Sequence, residues 1–277
     1  MGLRIATNVG AINAQKNLYM TNINANRSMS RLASGSRINQ AADDAAGLAI
    51  SENLKGQIRG LRQANRNAND GISLVQVAEG SLNEVSNMLI RLRELGVQAS
   101  SDTIGNTERQ FIDVEYQQLK SEIQRVTEST NYNGYDLLNG TGGVIDIQVG
   151  VNNDPFKDRI SFNSSAANAS LDALGMVAET VSSKEGAQMS LSQIDSAMVS
   201  INAIRANFGA MQNRLQSTSN NLLVYDENVS AANSRIRDAD VAAESTEMVR
   251  NNILLQAGVS VLSQANQTNQ LALKLLG

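Results

Sequence analysis

The chain contains no cysteine and no histidine, and it has no tryptophan. Without the first two residue types it has no disulfides, no metal sites built from cysteine or histidine, no thiol nucleophiles and no histidine general base. The remaining side chains form no constellation typical of an enzyme. We therefore predict that the protein is not an enzyme and that it uses no cofactor and no metal.

Proline and aromatic residues are also scarce, with one proline and 3% aromatic residues among 277. Proline interrupts helix interiors, so its scarcity permits very long helices. Few large aromatic side chains are typical of a thin rod rather than of a globule with a large enclosed core.

Long apolar runs are missing, so the sequence predicts no cleaved secretion signal and no membrane insertion. The net charge is −4. Nucleic-acid binding normally requires a basic surface, so we predict no nucleic-acid partner.

An apolar residue recurs at every seventh position in the last third of the chain. The row consists of Ile194, Ile201, Phe208, Leu215, Leu222, Val229 and Ile236. Because seven residues make two helical turns, the row predicts a long helix with a narrow seam suited to another helix. Similar rows predict helices over 3–33, about 48–99 and about 106–128, the last one capped by Thr107. Such a chain favours association over catalysis.

The pattern changes in the middle of the chain. Apolar residues alternate with polar ones over 144–151, the turn NNDP follows at 152–155, and Ile160 and Phe162 stand two apart. This predicts a β-hairpin at about 140–165. The predicted fold class is mainly α, a long antiparallel helical coiled-coil bundle with a small β-hairpin region in the middle.

The helical rows are interrupted at similar depths from the two ends. The first interruption is SGSRINQAADDAAG at 34–47, and the second is a change of phase at RDAD, 237–240. We interpret this symmetry as two modules, one made by both termini and one made by the inner segments.

Several long motifs resemble those of bacterial flagellins. They are RLASGSRINQAADDAAGLAIS (31–51), NRNANDGISLVQVAEGSLNEV (65–85), IRLRELGVQAS (90–100) and SRIRDADVAAESTEMVRNNILLQAGVSVLSQANQ (234–267). The resemblance implies an inner-tube coiled-coil domain from 1–46 and 235–277, and an outer-tube helical domain from 47–234. It also implies a short flagellin that lacks large variable outer domains.

The resemblance implies a structural subunit that self-polymerises into the bacterial flagellar filament for motility. Such a subunit is exported unfolded by the flagellum-specific type III route, so we expect it in the extracellular filament. The implied partners are further copies of itself, an export chaperone on the C-terminal helix, and the filament cap and hook-junction proteins. The alternative is a hook–filament junction protein, which has flagellin-like termini but does not polymerise indefinitely.

The terminal segments 1–33 and 241–277 carry only a partial apolar stripe. Alone they cannot offset a backbone entropy cost of roughly 1–2 kcal/mol per residue, so we expect them to fold as they pack together and against neighbours. The predicted assembly contacts are Ile5, Ile12, Leu18, Leu255, Leu262 and Leu276. The alternative is that these residues form an intramolecular coiled-coil core.

Three arginines, Arg59, Arg62 and Arg66, fall on one helical face. One interpretation is that they form ion pairs with an acidic face of the next subunit, at Glu244 or Glu247. The alternative is a solvated face without a partner.

The segment IRLRELGVQ resembles the patch that a flagellin-sensing Toll-like receptor of animal hosts recognises. The matching residues are Arg91 and Leu95, with Glu115 on the following helix. Arg91 and Leu95 are four residues apart and therefore share a helix face. The alternative is that this surface serves only packing between subunits. The adjacent acids Asp43 and Asp44 are expected to be structural.

Overall fold

The computed structural model describes residues 7–274, with side chains up to residue 267. The described helices are α1 (Val9–Ser34), α2 (Ala45–Ala99), α3 (Asn106–Ser129), α4 (Lys184–Arg237) and α5 (Val241–Lys274). Strands β1 (Asn131–Tyr132) and β2 (Tyr135–Asp136) form one antiparallel sheet, and β3 (Val144–Gln148) and β4 (Arg159–Asn163) form another. The mainly α fold class is confirmed. Within the described residues, every helix is too short or too polar to cross a membrane.

The chain divides into two compact units. Residues 1–56 and 228–277 make the first unit, and residues 57–227 make the second. The sequence predicts an inner-tube domain from 1–46 and 235–277 and an outer-tube domain from 47–234. These domains are defined by their places in a filament, so their bounds stay a prediction.

The first unit is built on α1 and α5, which pack side by side. The Nδ2 atom of Asn8 donates to the carbonyl of Ala265 at 2.9 Å. Farther along α1, Leu18 lies against Gly258, where an added Cβ atom would stand 3.0 Å from the leucine Cδ2. Since the residue numbers rise on one helix as they fall on the other, the pair is antiparallel.

The two interruptions expected from the sequence meet in this unit. Gly35 ends α1 with φ 68°, a left-handed conformation that suits glycine. Its carbonyl accepts from the amide of Ala239 at 3.0 Å, and the amide of Arg37 donates to the carbonyl of Arg237 at 2.6 Å. Backbone hydrogen bonds therefore join the segment that follows α1 to the segment between α4 and α5.

The two aspartates before α2 are structural, as expected. Asp44 Oδ1 accepts from the amide of Gly47 at 2.8 Å and so satisfies a free donor of the first turn. Asp43 Oδ2 accepts from the amides of Asn39 and Gln40 at 3.2 and 3.1 Å. The hydrogen bond from Gln40 contributes most to lowering the pKa of Asp43.

The core of the second unit lies along the apolar seams of α2 and α4. Ile123 of α3 closes one side of it, and Phe162 of β4 packs on Phe208 of α4 with ring centroids 5.5 Å apart. The fully or almost fully buried seam residues include Leu61, Ala68, Val75, Leu82, Leu89, Ile194, Ile201, Phe208 and Leu215. The seven-residue rows therefore mark the residues that hold the long helices together.

The predicted hairpin is present as β3 and β4, in which Ile145 is paired with Phe162 and Ile147 with Ile160. The prediction that Thr107 caps α3 is wrong. The helix begins one residue earlier, at Asn106, and Gly105 occupies the cap position without a side-chain hydrogen bond. A glycine can adopt the cap conformation with little loss relative to a polar residue, and this explains the difference.

The structure also contains a second, smaller hairpin, β1 and β2, that is not among the predicted elements. Asn133 and Gly134 make its turn with φ 52° and 83°, and Tyr132 and Tyr135 pair across it. Positive φ at both turn residues matches the right-handed twist of the flanking strands, and an Asn-Gly pair adopts it readily. The segment NYNGY carried this signal, but strands of two residues show no alternation.

Candidate assembly surfaces

Apolar side chains of α1 and α5 remain exposed even though the two helices pack together. In the described part of this pair, Ala25 is the one buried apolar residue. The apolar residues that are more than half exposed are Val9, Ile12, Tyr19, Met20 and Met29 on α1, and Val241, Val249, Ile253, Val259 and Val261 on α5. We call this set the terminal apolar faces. So many exposed large apolar side chains on one helix pair favour an interaction surface.

The structure separates the predicted assembly contacts into two groups. Ile12 is 57% exposed and belongs to the terminal apolar faces. Leu18, Leu255 and Leu262 are half-buried within the described helix pair. Ile5 and Leu276 lie outside the described residues.

The predicted arginine row has contacts within its own chain. Arg62 Nε pairs with Asp226 Oδ2 at 3.0 Å, and Arg66 Nε donates to Gln63 Oε1 at 3.1 Å. Arg59 is exposed, and none of the ion pairs among the described residues includes it.

The acidic residues considered as partners of that row also have contacts within the chain. Glu244 Oε1 pairs with Arg31 Nη1 of α1 at 2.8 Å, and both side chains are mostly buried. Glu247 pairs with Arg250 at 2.8 Å within α5. Glu244 and Glu247 are thus each already paired within the first unit.

The predicted receptor patch is partly assembled. Arg91 Nη2 pairs with Glu115 Oε1 at 2.8 Å, and Arg91 Nη1 pairs with Glu94 Oε2 at 2.9 Å. These hydrogen bonds, led by the one to Glu94, raise the pKa of Arg91. Leu95 differs, because it is 2% exposed and lies in the core. The structure thus exposes Arg91 and Glu115 together and places Leu95 beneath the surface.

A buried lysine that has no signal in the local sequence fixes a loop of the second unit. Lys120 of α3 donates to the carbonyls of Val177 and Glu179 at 3.0 and 2.8 Å, and its Nζ lies 5.9 Å from the centroid of the Tyr116 ring. Burial lowers the pKa of Lys120 and raises that of Tyr116 to about 12. Local sequence carries no signal for this arrangement, since the loop carbonyls are more than fifty positions away.

Comparison with known proteins identifies the family. A family model described as the bacterial flagellin N-terminal helical region matches residues 5–142, and one described as the bacterial flagellin C-terminal helical region matches residues 191–276. A flagellin of Halalkalibacterium halodurans is 43% identical over 269 residues, covering 97% of this chain and 98% of that protein. The chain belongs to the bacterial flagellin family.

Other relatives agree. The flagellin of Bacillus subtilis is 40% identical over 99% of this chain and 100% of its own. The flagellar filament core protein flaB2 of Brachyspira hyodysenteriae is 38% identical over 98% of this chain and 99% of its own. The crystal structure of Bacillus cereus flagellin has a TM-score of 0.51 and is 32% identical over 57% of this chain and 88% of that chain.

The family assignment confirms the expected short flagellin, because the matches run along nearly the whole of both proteins. It also makes the chain a structural subunit of the flagellar filament. A putative flagellar hook-associated protein from Vibrio parahaemolyticus shares the fold, with a TM-score of 0.58, but only 16% of its residues are identical. The alternative of a hook–filament junction protein is therefore not favoured.

Proposed function

We propose that this flagellin polymerises through the terminal apolar faces, each copy burying the paired α1 and α5 helices of its neighbours. The exposure of those faces is the observation that supports it. Burying one large apolar side chain contributes about 1.5–3 kcal/mol. The helix pair buries too few apolar residues on its own to offset the entropy of ordering it, so neighbouring copies would supply most of its stabilisation.

This arrangement assigns the inner tube to residues 1–46 and 235–277 and the outer tube to residues 47–234. The filament then stands outside the cell, and the chain reaches it unfolded through the type III route. An export chaperone on the C-terminal helix would cover the apolar face of α5 before export. Cap and hook-junction proteins would cover the same kind of face at the two ends of the filament.

The direct test is electron microscopy of purified monomer after short filament seeds are added. We expect long tubes to grow from the seeds, with a growth rate proportional to monomer concentration. Monomer that adds one layer and then stops would support a junction protein instead and would overturn the proposal.

Among the three arginines, Arg59 is the one we propose for an ion pair between subunits, because its guanidinium has neither an ion pair nor a hydrogen bond among the described residues, whereas Arg62 pairs with Asp226 and Arg66 donates to Gln63. An exposed pair of this kind contributes up to about 1 kcal/mol, and salt screens it. We expect Arg59→Gln to raise the critical concentration for polymerisation up to about fivefold at low salt and to have no effect at high salt. Equal critical concentrations at low salt would exclude this role.

We also propose that Arg91 and Glu115 form a contact surface for the flagellin-sensing Toll-like receptor. Loss of a charged hydrogen bond costs about 1.5–3 kcal/mol, so Arg91→Ala should weaken activation of receptor-bearing reporter cells by roughly tenfold or more. The matched control is Arg93→Ala, since Arg93 is equally exposed and pairs with Asp195 at 2.8 Å. Equal losses for both variants would contradict the assignment.

A further inference from the structure

The turn between β3 and β4 presents an aromatic ring to solvent. Phe156 is 87% exposed, the highest value among the large apolar side chains of the described residues. Hydrogen bonds order the backbone of this turn, since the amide of Phe156 donates to Asp154 Oδ1 at 3.0 Å. The amide of Asp154 donates to Asp158 Oδ2, and the amide of Asp158 to the carbonyl of Asp154, both at 2.9 Å. A turn whose backbone is already ordered loses less entropy when its side chain docks than a flexible loop does.

The same unit carries an apolar groove that this ring does not occupy. The groove lies between β4 and α4 and has a volume of about 350 Å³. An apolar cavity of about 150 Å³ holds a benzene ring, so the groove can admit a phenylalanine side chain. Its principal lining residues are Ile160, Phe162, Ile204, Phe208, Met211 and Arg214.

The charges beside the ring and the groove are complementary. The guanidinium of Arg214, at the groove, takes part in none of the hydrogen bonds or ion pairs found among the described residues. Asp154 stands two positions before Phe156, and its ion pair is with Lys157 of the same turn at 3.3 Å. Since both of those side chains are exposed, water screens that pair and Asp154 can exchange partners at little cost.

We infer that the Phe156 turn of one copy docks into this groove on a second copy, with Asp154 of the first copy facing Arg214 of the second. The two surfaces are different parts of one chain, so the contact is heterologous and can be repeated without closing. A heterologous contact builds an open helical polymer when its rotation does not close into a ring. The inference rests on the proposed polymerisation and adds a contact in the second unit to those of the helix pair.

The absence of cysteine makes disulfide crosslinking a clean test. Lys157→Cys places a thiol beside the ring, and Asn207→Cys places one at the groove. Filaments grown from an equal mixture of the two single variants should give covalent dimers on mild oxidation, which only contact between copies can produce. The control mixture replaces Asn207→Cys by Ser196→Cys, an exposed position about three turns away on α4.

A second measurement does not depend on the thiols. Phe156→Ser should raise the critical concentration for polymerisation by roughly tenfold or more, because the ring would no longer be buried. Filaments that give no dimer, or equal dimer with the control mixture, would overturn the docking, and so would an unchanged critical concentration for Phe156→Ser. If the unaltered chain does not polymerise, the proposed function itself fails.

Discussion

Removal of residues 241–277 is expected to leave a soluble, folded protein that does not polymerise at any concentration. The deletion takes away α5 and with it half of the terminal apolar faces. The second unit, residues 57–227, keeps its whole core, since the buried rows of α2 and α4 and the β3–β4 hairpin lie outside the deletion. The loss of assembly should therefore be complete while the main unfolding transition is retained.

Two measurements on the truncated chain test this expectation. Circular dichroism during heating should show one cooperative transition close to that of the full chain, and seeded electron microscopy should show no elongation. The full chain under the same conditions is the control for both. Filaments from the truncated chain would contradict the role of α5, whereas a truncated chain without a cooperative transition would contradict the independence of the second unit.

The helices could be predicted closely because their signal is local. Seven-residue rows report which side chains share a face, and the seam residues of α2 and α4 are buried as their spacing indicates. Gly35 and the phase change near residue 237 likewise marked real helix ends. Sequence could not show that these two interruptions pair through their backbones, because that contact joins residues about 200 positions apart.

The candidate sites were harder to predict, since exposure depends on tertiary packing. The resemblance places Leu95 in a surface patch, yet this residue stands three positions after the buried Leu92 and is itself buried. The spacing of three residues from Leu92 along the helix is enough to predict that Leu95 is buried. The partner of Arg62, Asp226, could not be inferred in the same way, because the two residues lie on different helices and 164 positions apart.

A leucine in place of Gly258 should prevent the terminal helices from pairing as they do in the native chain. An added Cβ atom would already stand 3.0 Å from Cγ and Cδ2 of Leu18, closer than the usual distance between such atoms. Overpacking costs about 1–3 kcal/mol, so the critical concentration for polymerisation should rise roughly 5- to 150-fold. Gly258→Ala should lie between this variant and the native chain, since the tip of Leu18 can move by a few tenths of an ångström.

The control is a double variant that restores the space between α1 and α5. In the double variant Gly258→Leu and Leu18→Ala, the two side chains exchange sizes across the same contact, and we expect much of the lost polymerisation to return. The Leu18→Ala variant alone should also raise the critical concentration for polymerisation, because it leaves a void between α1 and α5. A double variant whose loss equals the sum of the two single losses would show that Gly258 and Leu18 are not coupled. Recovery would show that close approach of the two terminal helices limits assembly, since the exchange leaves the rest of the terminal apolar faces unaltered.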